Sequence, residues 1–572
     1  MKDKIKSKSD EQALALARQW SEMPCFAAED RQELLSLLEN DPQLVIERFY
    51  KDLEFGTAGL RGIVGFGPNC LNQYTLSKAS YAYGLVLKEH FQNPKVVVSY
   101  DSRLSSQQFS KIAVAVFNFL GIQTYLMPRE TATPLLSFAV RSLKCQGGVM
   151  ITASHNPKDY NGYKVYWQDG AQVSPPYDQE IINRYYQINF EELPRDVSIR
   201  EELNQVLGED FYQSYFQTII AQSLRPDLIK EKGAELKIIY TPLHGTGAHP
   251  VGEVFRQLGF HHLMMVPEQA QPDGHFPTTS RPNPEELQAL KMGCDLMLKE
   301  NADLLIGSDP DTDRMGVMVN LGEGEARFLN GNEIAVLLLE YKLSSLKQLG
   351  LLKENPVVIK TLVTSSLQDR IAEHYGAKVY QTMTGFKWMA KVIKQLELNG
   401  DDFQMVMASE ESFGSMTHSA VRDKDGVSAA ALMSEAALYY KSTRGMNLVQ
   451  ALEEIHDKYG THQEELINLE YPGKQGMEKI QSIMQFFRSS ALKQLGEFKV
   501  TDSSDYLHGE PSGNLIRVQL DGQFTLFLRP SGTEPKIKFY LQIVLRPGEE
   551  ASMVPGIISA IKRSIEEFCE RI

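Results

Sequence analysis

A chain of 572 residues is too long for one ordinary core, and its length predicts three to five domains. With 42% apolar and 23% charged residues and a formal net charge of -14, it reads as a globular protein without a broad nucleic-acid or anionic-membrane surface. The acidic balance still allows a locally basic pocket for an anionic substrate. Cys25, Cys70, Cys145, Cys294 and Cys569 form no CxxC pair, which suits reduced thiols rather than a disulfide frame or a zinc site. The lysine-rich start from Met1 to Lys8 runs into charged helical sequence and not into a signal-peptide core. No apolar stretch is long enough to span a bilayer, so the expected location is the cytoplasm.

In chain order, residues 9 to 52 place charged and apolar positions at helical spacing, predicting a helical extension packed on the first domain. Phe55-Gly56-Thr57-Ala58-Gly59-Leu60-Arg61-Gly62 breaks that pattern with three glycines. Val96 to Asp101 reads as a strand and Ser106 to Leu120 as the helix after it, the signature of a mainly parallel sheet with crossover helices. Gly147 to Ile151 reads as a buried strand that ends abruptly in Thr152-Ala153-Ser154-His155-Asn156-Pro157. Ser154 therefore sits at a strand end, where open α/β sheets bind ligands. A serine hydroxyl is a poor nucleophile unless a base, a metal or a phosphoryl group is brought to it. Asn161 to Tyr166 follows as a turn into another strand, with Lys164 at its start.

A second unit opens with Leu236 to Tyr240 and the loop Thr241 to Gly247. That loop lacks the full GxGxxG spacing, so it reads as a tight strand-to-helix turn with His244 structural. Asp273 to Glu286 is Pro-rich loop. Leu304-Leu305-Ile306 then leads into Asp309-Pro310-Asp311-Thr312-Asp313-Arg314. Three alternating carboxylates without imidazole or thiolate suit one hard cation, Mg2+ over zinc. An EF-hand would need glycine and glutamate where Arg314 and Asn320 stand, and a DxDx[TV] phosphatase motif fits only weakly, with Asp313 in the Thr/Val place. Arg314 offsets the carboxylate charge and can reach a phosphate oxygen.

A third unit has strands at Pro356 to Lys360 and Lys378 to Gln381, a helix at Ser365 to Tyr375, and the loop Thr382 to Trp388. Met405-Val406-Met407 leads into Glu410-Glu411-Ser412-Phe413-Gly414, where Glu410 and Ser412 suit two vicinal sugar hydroxyls. Arg422 and Lys424 add positive charge, and His418, between that loop and these two, reads as a surface histidine. Tyr471-Pro472-Gly473 marks a boundary near residues 460 to 475. Beyond it, Leu515 to Leu520, Phe524 to Leu528 and a helix from about Met553 describe a smaller α+β domain. Its loop Arg529-Pro530-Ser531-Gly532-Thr533-Glu534 is a donor-rich phosphate cradle.

These four loops, in this order and spacing, closely resemble the α-D-phosphohexomutases, from about Phe55 to about Tyr540. Within that superfamily the N-terminal extension, Asp-Pro-Asp-Thr-Asp and Thr384-Gly385-Phe386 are most similar to the phosphoglucomutase/phosphopentomutase branch. The resemblance implies three similar mixed-sheet α/β domains plus the smaller α+β domain around a central cleft, divided as 1–210, 211–325, 326–460 and 461–572. It implies a catalytic group of Ser154, Lys164, Arg61 and His155, with Mg2+ on Ser154, Asp309, Asp311 and Asp313. Substrate contacts fall to Arg314, Thr384, Gly385, Glu410, Ser412, Lys424, Arg529, Ser531, Gly532 and Thr533. Some bacterial members carry a site histidine two residues after the loop serine, where this chain has Gly414.

The implied activity is a phosphoserine mutase on sugar monophosphates, exchanging glucose 1-phosphate and 6-phosphate through glucose 1,6-bisphosphate. Pentose or mannose phosphates, and bisphosphate synthesis from an acyl phosphate, stay open as alternatives. A non-catalytic sugar-phosphate-binding regulator would have lost the serine or an aspartate, and neither is lost; a metal-dependent phosphatase would release free phosphate. No nucleic-acid or membrane partner is expected, and the assembly expected is a monomer or weak homo-oligomer.

Overall fold

Three times along the chain the same strand order recurs. The computed structural model describes residues 8–56, 59–195, 197–471, 473–489, 492–531, 536–545, 549 and 551–572. The first sheet contains β1 (Gly59–Ile63), β2 (Lys95–Tyr100), β3 (Gln123–Leu126), β4 (Gly147–Ile151), β5 (Tyr160–Trp167) and β6 (Asn204–Val206), in the order β1-β5-β4-β2-β3-β6. The second takes β7 (Lys237–Thr241), β8 (His262–Met265), β9 (Leu304–Ser308), β10 (Met315–Gly322) and β11 (Glu325–Leu329), in the order β11-β10-β9-β7-β8. The third takes β12 (Pro356–Thr361), β13 (Lys378–Thr382), β14 (Gln404–Glu410) and β15 (Gly414–Met416), in the order β13-β12-β14-β15. In every one, three successive strands run parallel and the chain then folds back antiparallel, β4 into β5, β9 into β10 and β14 into β15; in the first sheet β6 adds a fourth parallel strand beside β3.

The apolar runs explain this. Gly147–Ile151 and Leu304–Ser308 are buried at every position, as strands covered by helices on both faces must be. Covering helices start at polar caps: Asn72 closes a capping box with Thr75 ahead of Gln73–His90, and Asn330 does so with Glu333 ahead of Gly331–Gln348. The fourth domain differs. Here β16 (His462–Glu470), β17 (Gln494–Leu495), β18 (Phe498–Asp505), β19 (Ile516–Leu520), β20 (Phe524–Pro530) and β21 (Lys536–Val544) form one antiparallel sheet, β16-β21-β20-β19-β18-β17. Helices Gly473–Arg488 and Val554–Arg571 accompany it. The architecture is therefore three α/β domains and a β-rich C-terminal domain, as expected.

The N-terminal extension forms helices Asp10–Glu22, Ala28–Asn40 and Pro42–Phe49 around Trp20, and it packs on Phe66 and Phe190 of the first domain. One continuous apolar core runs from Leu135 and Phe138 through Tyr240 and Ile306 to Val358 and Met407, joining the first three domains. The fourth domain has its own core and meets the third through Val363, Met383, Leu515, Phe527 and Tyr540.

Two local expectations change. Lys164 lies well inside β5 and not at its start, because Tyr160 and Asn161 already pair with Ile63 and Gly62. Tyr471 and Gly473 follow the first strand of the fourth sheet, since β16 already pairs along β21; Pro472 lies outside the described residues. Among the described residues no helix is long and apolar enough to cross a membrane.

Candidate active site

The repeated strand order creates three equivalent turns, at the carboxyl ends of β4, β9 and β14. They hold Ser154, the Asp309–Asp313 run and Glu410–Phe413. Each turns on a non-glycine residue in the left-handed region: Ser154 at φ 53°, Thr312 at φ 54° and Phe413 at φ 64°. Such residues are uncommon and persist only where surroundings over-determine them.

Ser154 is 3% exposed, and its Oγ donates to Asp309 Oδ2 at 2.6 Å. His155 Nδ1 lies 3.1 Å from Ser154 Oγ. Burial, aided by the Arg314 and Arg61 guanidinium groups, pushes the imidazole well below its usual range, so it is neutral at pH 7. Arg61 reaches the loop through Asn156, its Nη1 donating to Oδ1 at 3.4 Å.

Asp309, Asp311 and Asp313 are buried and offer oxygens that all lie within 4.8 Å of one another. Asp309 Oδ1 accepts from the backbone N–H of Asp313 and Arg314. Asp311 Oδ2 accepts from Lys164 Nζ at 2.7 Å and Thr133 Oγ1 at 2.8 Å, while Lys424 Nζ lies 3.0 Å from Asp313 Oδ2. The remaining oxygens, Asp311 Oδ1 and Asp313 Oδ1, are buried without a hydrogen-bond partner. Buried carboxylate oxygens left unpaired on one side of an all-oxygen set fit a hard divalent cation.

Electrostatics divide the three. Burial and the neighbouring Asp311 and Asp313 hold the Asp309 carboxyl well above the carboxylate range. Asp311 lies below it despite burial, because the Lys164 ammonium stands against it; Asp313 is lowered by Lys424 and Lys164 against burial and Asp311.

Arg314 sits over this cluster, with its Nη1 paired to Glu285 and its Nε 3.9 Å from Asp313 Oδ1. Lys424 reaches Asp313 past Gly414, where an added Cβ would lie 2.2 Å from Lys424 Cδ. The space beside Gly414 is thus filled by a lysine stem. Glu410 Oε1 accepts from the Gly385 backbone N–H at 2.5 Å, which brings those two expected contacts together. Thr384 and Ser412 are half-buried on the same two loops.

Two expectations fail. His418 is buried, with Nε2 3.1 Å from Asp425 Oδ2, because Asp425 caps helix Gly426–Tyr439 from below it. Arg422 is buried and spent on Ser419 O, Val421 O and Glu397, away from the carboxylates. In the fourth domain, Arg529 ends β20 opposite Lys538, and Ser531 donates its N–H to Lys536 O at 2.8 Å. Gly532 and Thr533 lie outside the described residues.

Sequence reasoning passed over three groups. Thr133 anchors Asp311 across the boundary between the first two domains. Its only sequence signal was a Thr-Pro helix start. Asp423 accepts from Tyr166 at 2.6 Å and Gln172 at 2.8 Å, tying the first domain to the third. Asp101 and Arg103 brace the serine loop from the end of β2. The glycine loop after β7 plays the same part in the second domain. Thr246 donates to Pro310 O, and a Cβ on Gly245 would lie 2.3 Å from Pro310 Cα. His244 there bonds Thr278, in keeping with a structural role.

Comparison with known proteins agrees with this geometry. Residues 52–192, 213–322 and 330–459 match, in turn, alpha/beta/alpha domains I, II and III of "Phosphoglucomutase/phosphomannomutase". A phosphoglucomutase of Staphylococcus aureus (strain MRSA252) is 36% identical over 521 residues, covering 87% of this chain and 90% of that protein. Among solved structures, a phosphoglucomutase/phosphomannomutase family protein from Burkholderia thailandensis superposes with a TM-score of 0.64 at 18% identity, over 89% of this chain and 97% of that one. Parafusin, a phosphoglucomutase from Paramecium, gives 0.63 at 19% identity, over 89% and 94%. At these identities the two structures speak for the fold.

Proposed function

Because the chain belongs to the phosphoglucomutase/phosphomannomutase family and is a mutase, an intramolecular phosphotransferase of the isomerase class, we propose that it interconverts α-D-glucose 1-phosphate and D-glucose 6-phosphate. Ser154 carries a phosphoryl group, and glucose 1,6-bisphosphate is both intermediate and activator. The observation that carries this reading is the Ser154 hydroxyl bonded at 2.6 Å to Asp309 inside the carboxylate cluster, with Lys164 beside it. The choice of glucose rests on the 36% identity to the staphylococcal phosphoglucomutase.

The free hydroxyl of the sugar monophosphate attacks phosphorus on Ser154. The Oγ–P bond breaks as the sugar O–P bond forms, and the hydroxyl proton ends on the departing Oγ. After the bisphosphate turns over, the reverse transfer from its other phosphate restores phospho-Ser154. Lys164 and Arg61 offset the charge on the phosphoryl oxygens, with neutral His155 hydrogen-bonded beside them. Glu410, Ser412, Thr384 and Gly385 hold the sugar, while Arg314 and Lys424 face the transferring phosphate. Arg529, Ser531, Gly532 and Thr533 anchor the phosphate that is not reacting. Asp309, Asp311 and Asp313, together with the Ser154 phosphate, would hold Mg2+, which would supply Lewis-acid stabilisation of the phosphoryl charge.

The domain limits 1–210, 211–325, 326–460 and 461–572 are part of the same proposal; the first and third sheets close before their limits, whereas β11 carries the second sheet past 325 to Leu329. So are a cytoplasmic setting, which five unpaired cysteines support, and a monomer or weak homo-oligomer.

The test is a coupled assay with glucose 1-phosphate, Mg2+ and trace glucose 1,6-bisphosphate, beside ribose 1-phosphate and mannose 1-phosphate, with Ser154→Ala as control. Fast glucose 6-phosphate formation, lost in the variant, is expected. Faster turnover of ribose 1-phosphate would keep the mechanism and change the substrate. A fully active Ser154→Ala would remove the phosphoserine.

A further inference from the structure

We propose that Arg103 is a positioning residue for Ser154, holding its strained turn in the one conformation that aims the hydroxyl at the carboxylate cluster. The inference rests on the reading of Ser154 as the phosphoryl carrier.

Arg103 lies three residues beyond the end of β2, next to β4 in the sheet, and is 3% exposed. Its guanidinium makes four donations, all to backbone carbonyls of one loop. Nη2 donates to Ser154 O at 2.7 Å and Asn156 O at 2.5 Å; Nη1 donates to Pro157 O at 2.7 Å and Tyr160 O at 2.8 Å. The planar fork is suited to this, since its donors point in fixed directions that a lysine cannot reproduce.

Asp101 completes the brace. Its Oδ2 lies 3.3 Å from Arg103 Nε and accepts from Thr152 Oγ1 at 2.7 Å; Thr152 Oγ1 in turn accepts the Ser154 N–H at 2.8 Å. Ser154 is thus held at both backbone polar atoms, its N–H through Thr152 and its C=O by Arg103, at a φ of 53° that an L-residue seldom adopts. Rotation about either bond would swing Oγ off Asp309.

The second domain seals the brace. The Phe276 ring lies 5.2 Å from the Arg103 guanidinium carbon, and a Cβ on Gly274 would meet Leu104 N at 2.5 Å. The comparison with the other two domains sharpens the assignment. The equivalent loop after β7 holds the aspartate turn with Thr246 hydroxyl and backbone bonds, and the one after β12 reaches Glu411 with Thr361 and Thr364 hydroxyls. Among the described residues, the loop after β2 is the one of the three that grips its turn's backbone with a charged side chain; the ion pairs of Lys164 and Lys424 at the aspartate turn hold carboxylates and not backbone carbonyls. Of the three turns the serine turn alone must hold a covalent bond-forming atom in line.

Arg103→Met, Arg103→Lys and Thr152→Val, made in the full chain, test this. The readouts are kcat and KM for glucose 1-phosphate, the rate at which Ser154 gains phosphate from glucose 1,6-bisphosphate by intact mass, and the melting temperature. Misplacement of a reacting group by about 1 Å costs on the order of a hundredfold. Arg103→Met should therefore lose about a hundredfold in kcat and in phosphorylation rate, with KM within about threefold. Arg103→Lys should recover part of the loss, and Thr152→Val should lose about tenfold. A folded Arg103→Met that takes up phosphate and turns over within about threefold of wild type overturns the proposal. Losses that only track the unfolded fraction overturn it too. If Arg103→Met does not fold, the other two variants decide by the same criteria. Wild type that never gains phosphate on Ser154 instead sinks the phosphoserine reading, and is seen without any Arg103 variant.

Discussion

The first three domains and the fourth are joined to the site in different ways. The second and third share one apolar core that Leu135 and Phe138 of the first domain join, the first domain's sheet keeps a core of its own around Val98, Val149 and Val165, and all three are stitched polar group to polar group around the carboxylates. Thr133 bonds Asp311, Tyr166 and Gln172 bond Asp423, Tyr215 bonds Asp425, and Gly426 N–H donates to Thr312 O. The fourth closes its own core and rests on the third through a small apolar joint, with Gln542 donating to Val363 O and Thr364 O at 3.1 Å and Ser366 bonded to His462. Groups proposed to form and break bonds therefore sit on one polar-stitched body, where errors of an ångström are costly, and the phosphate anchor sits on a body with its own core.

Four measurements break or sharpen that contrast. Ser154→Ala, at the centre of the stitched body, should lower kcat by about a thousandfold or more while leaving both bodies' unfolding unchanged, read by the coupled assay and calorimetry. Asp423→Ala should strand the buried Tyr166 hydroxyl and Gln172 amide. That costs about 2–4 kcal/mol of the three-domain body's stability, with no change in the transition of the fourth domain. Urea unfolding, followed by probes in each body, checks it. Arg529→Ala should raise KM for glucose 1-phosphate about tenfold to a hundredfold, the loss of one or two charge-assisted hydrogen bonds, with a much smaller change in kcat. An equal fall in kcat would place Arg529 in the chemical step instead.

The smallest effect concerns the joint. Glu464 is half-exposed as a residue, but its Oε1 is buried without a partner, and burial pushes its carboxyl up to about 7. The folded chain thus holds a proton that the unfolded chain has released. The stabilisation is complete below about 4.5 and is lost as pH rises through about 7. The melting temperature of the fourth domain should fall over that window, and Glu464→Gln should flatten the fall. An identical slope in the variant would assign it to other groups.

Much of this was legible in the chain. Gly147–Ile151 and Leu304–Ser308 announced buried strands because nothing polar interrupts them, and the polar residues that end them named the turns. Asp309, Asp311 and Asp313 were legible because alternation alone brings carboxylates to one point. What local pattern does not encode is reach. Lys164 and Asp311 are 147 positions apart, and Tyr166 and Asp423 are 257 apart. His418 looked exposed because a lone histidine in a polar run carries no sign of the aspartate beneath it. Arg103 was hidden the same way: its partners are carbonyl groups, which every residue has.

Gly414 has a consequence for the history of such sites. Since a Cβ there would fall 2.2 Å from the Lys424 stem, a side chain at position 414 requires that stem to leave its present path to Asp313. A relative with any side chain at that position must bring its cation in by another route. Across an alignment a side chain at 414 should therefore accompany a change at 424, and glycine with lysine at this pair would mark one lineage's way of placing a positive charge against the third aspartate.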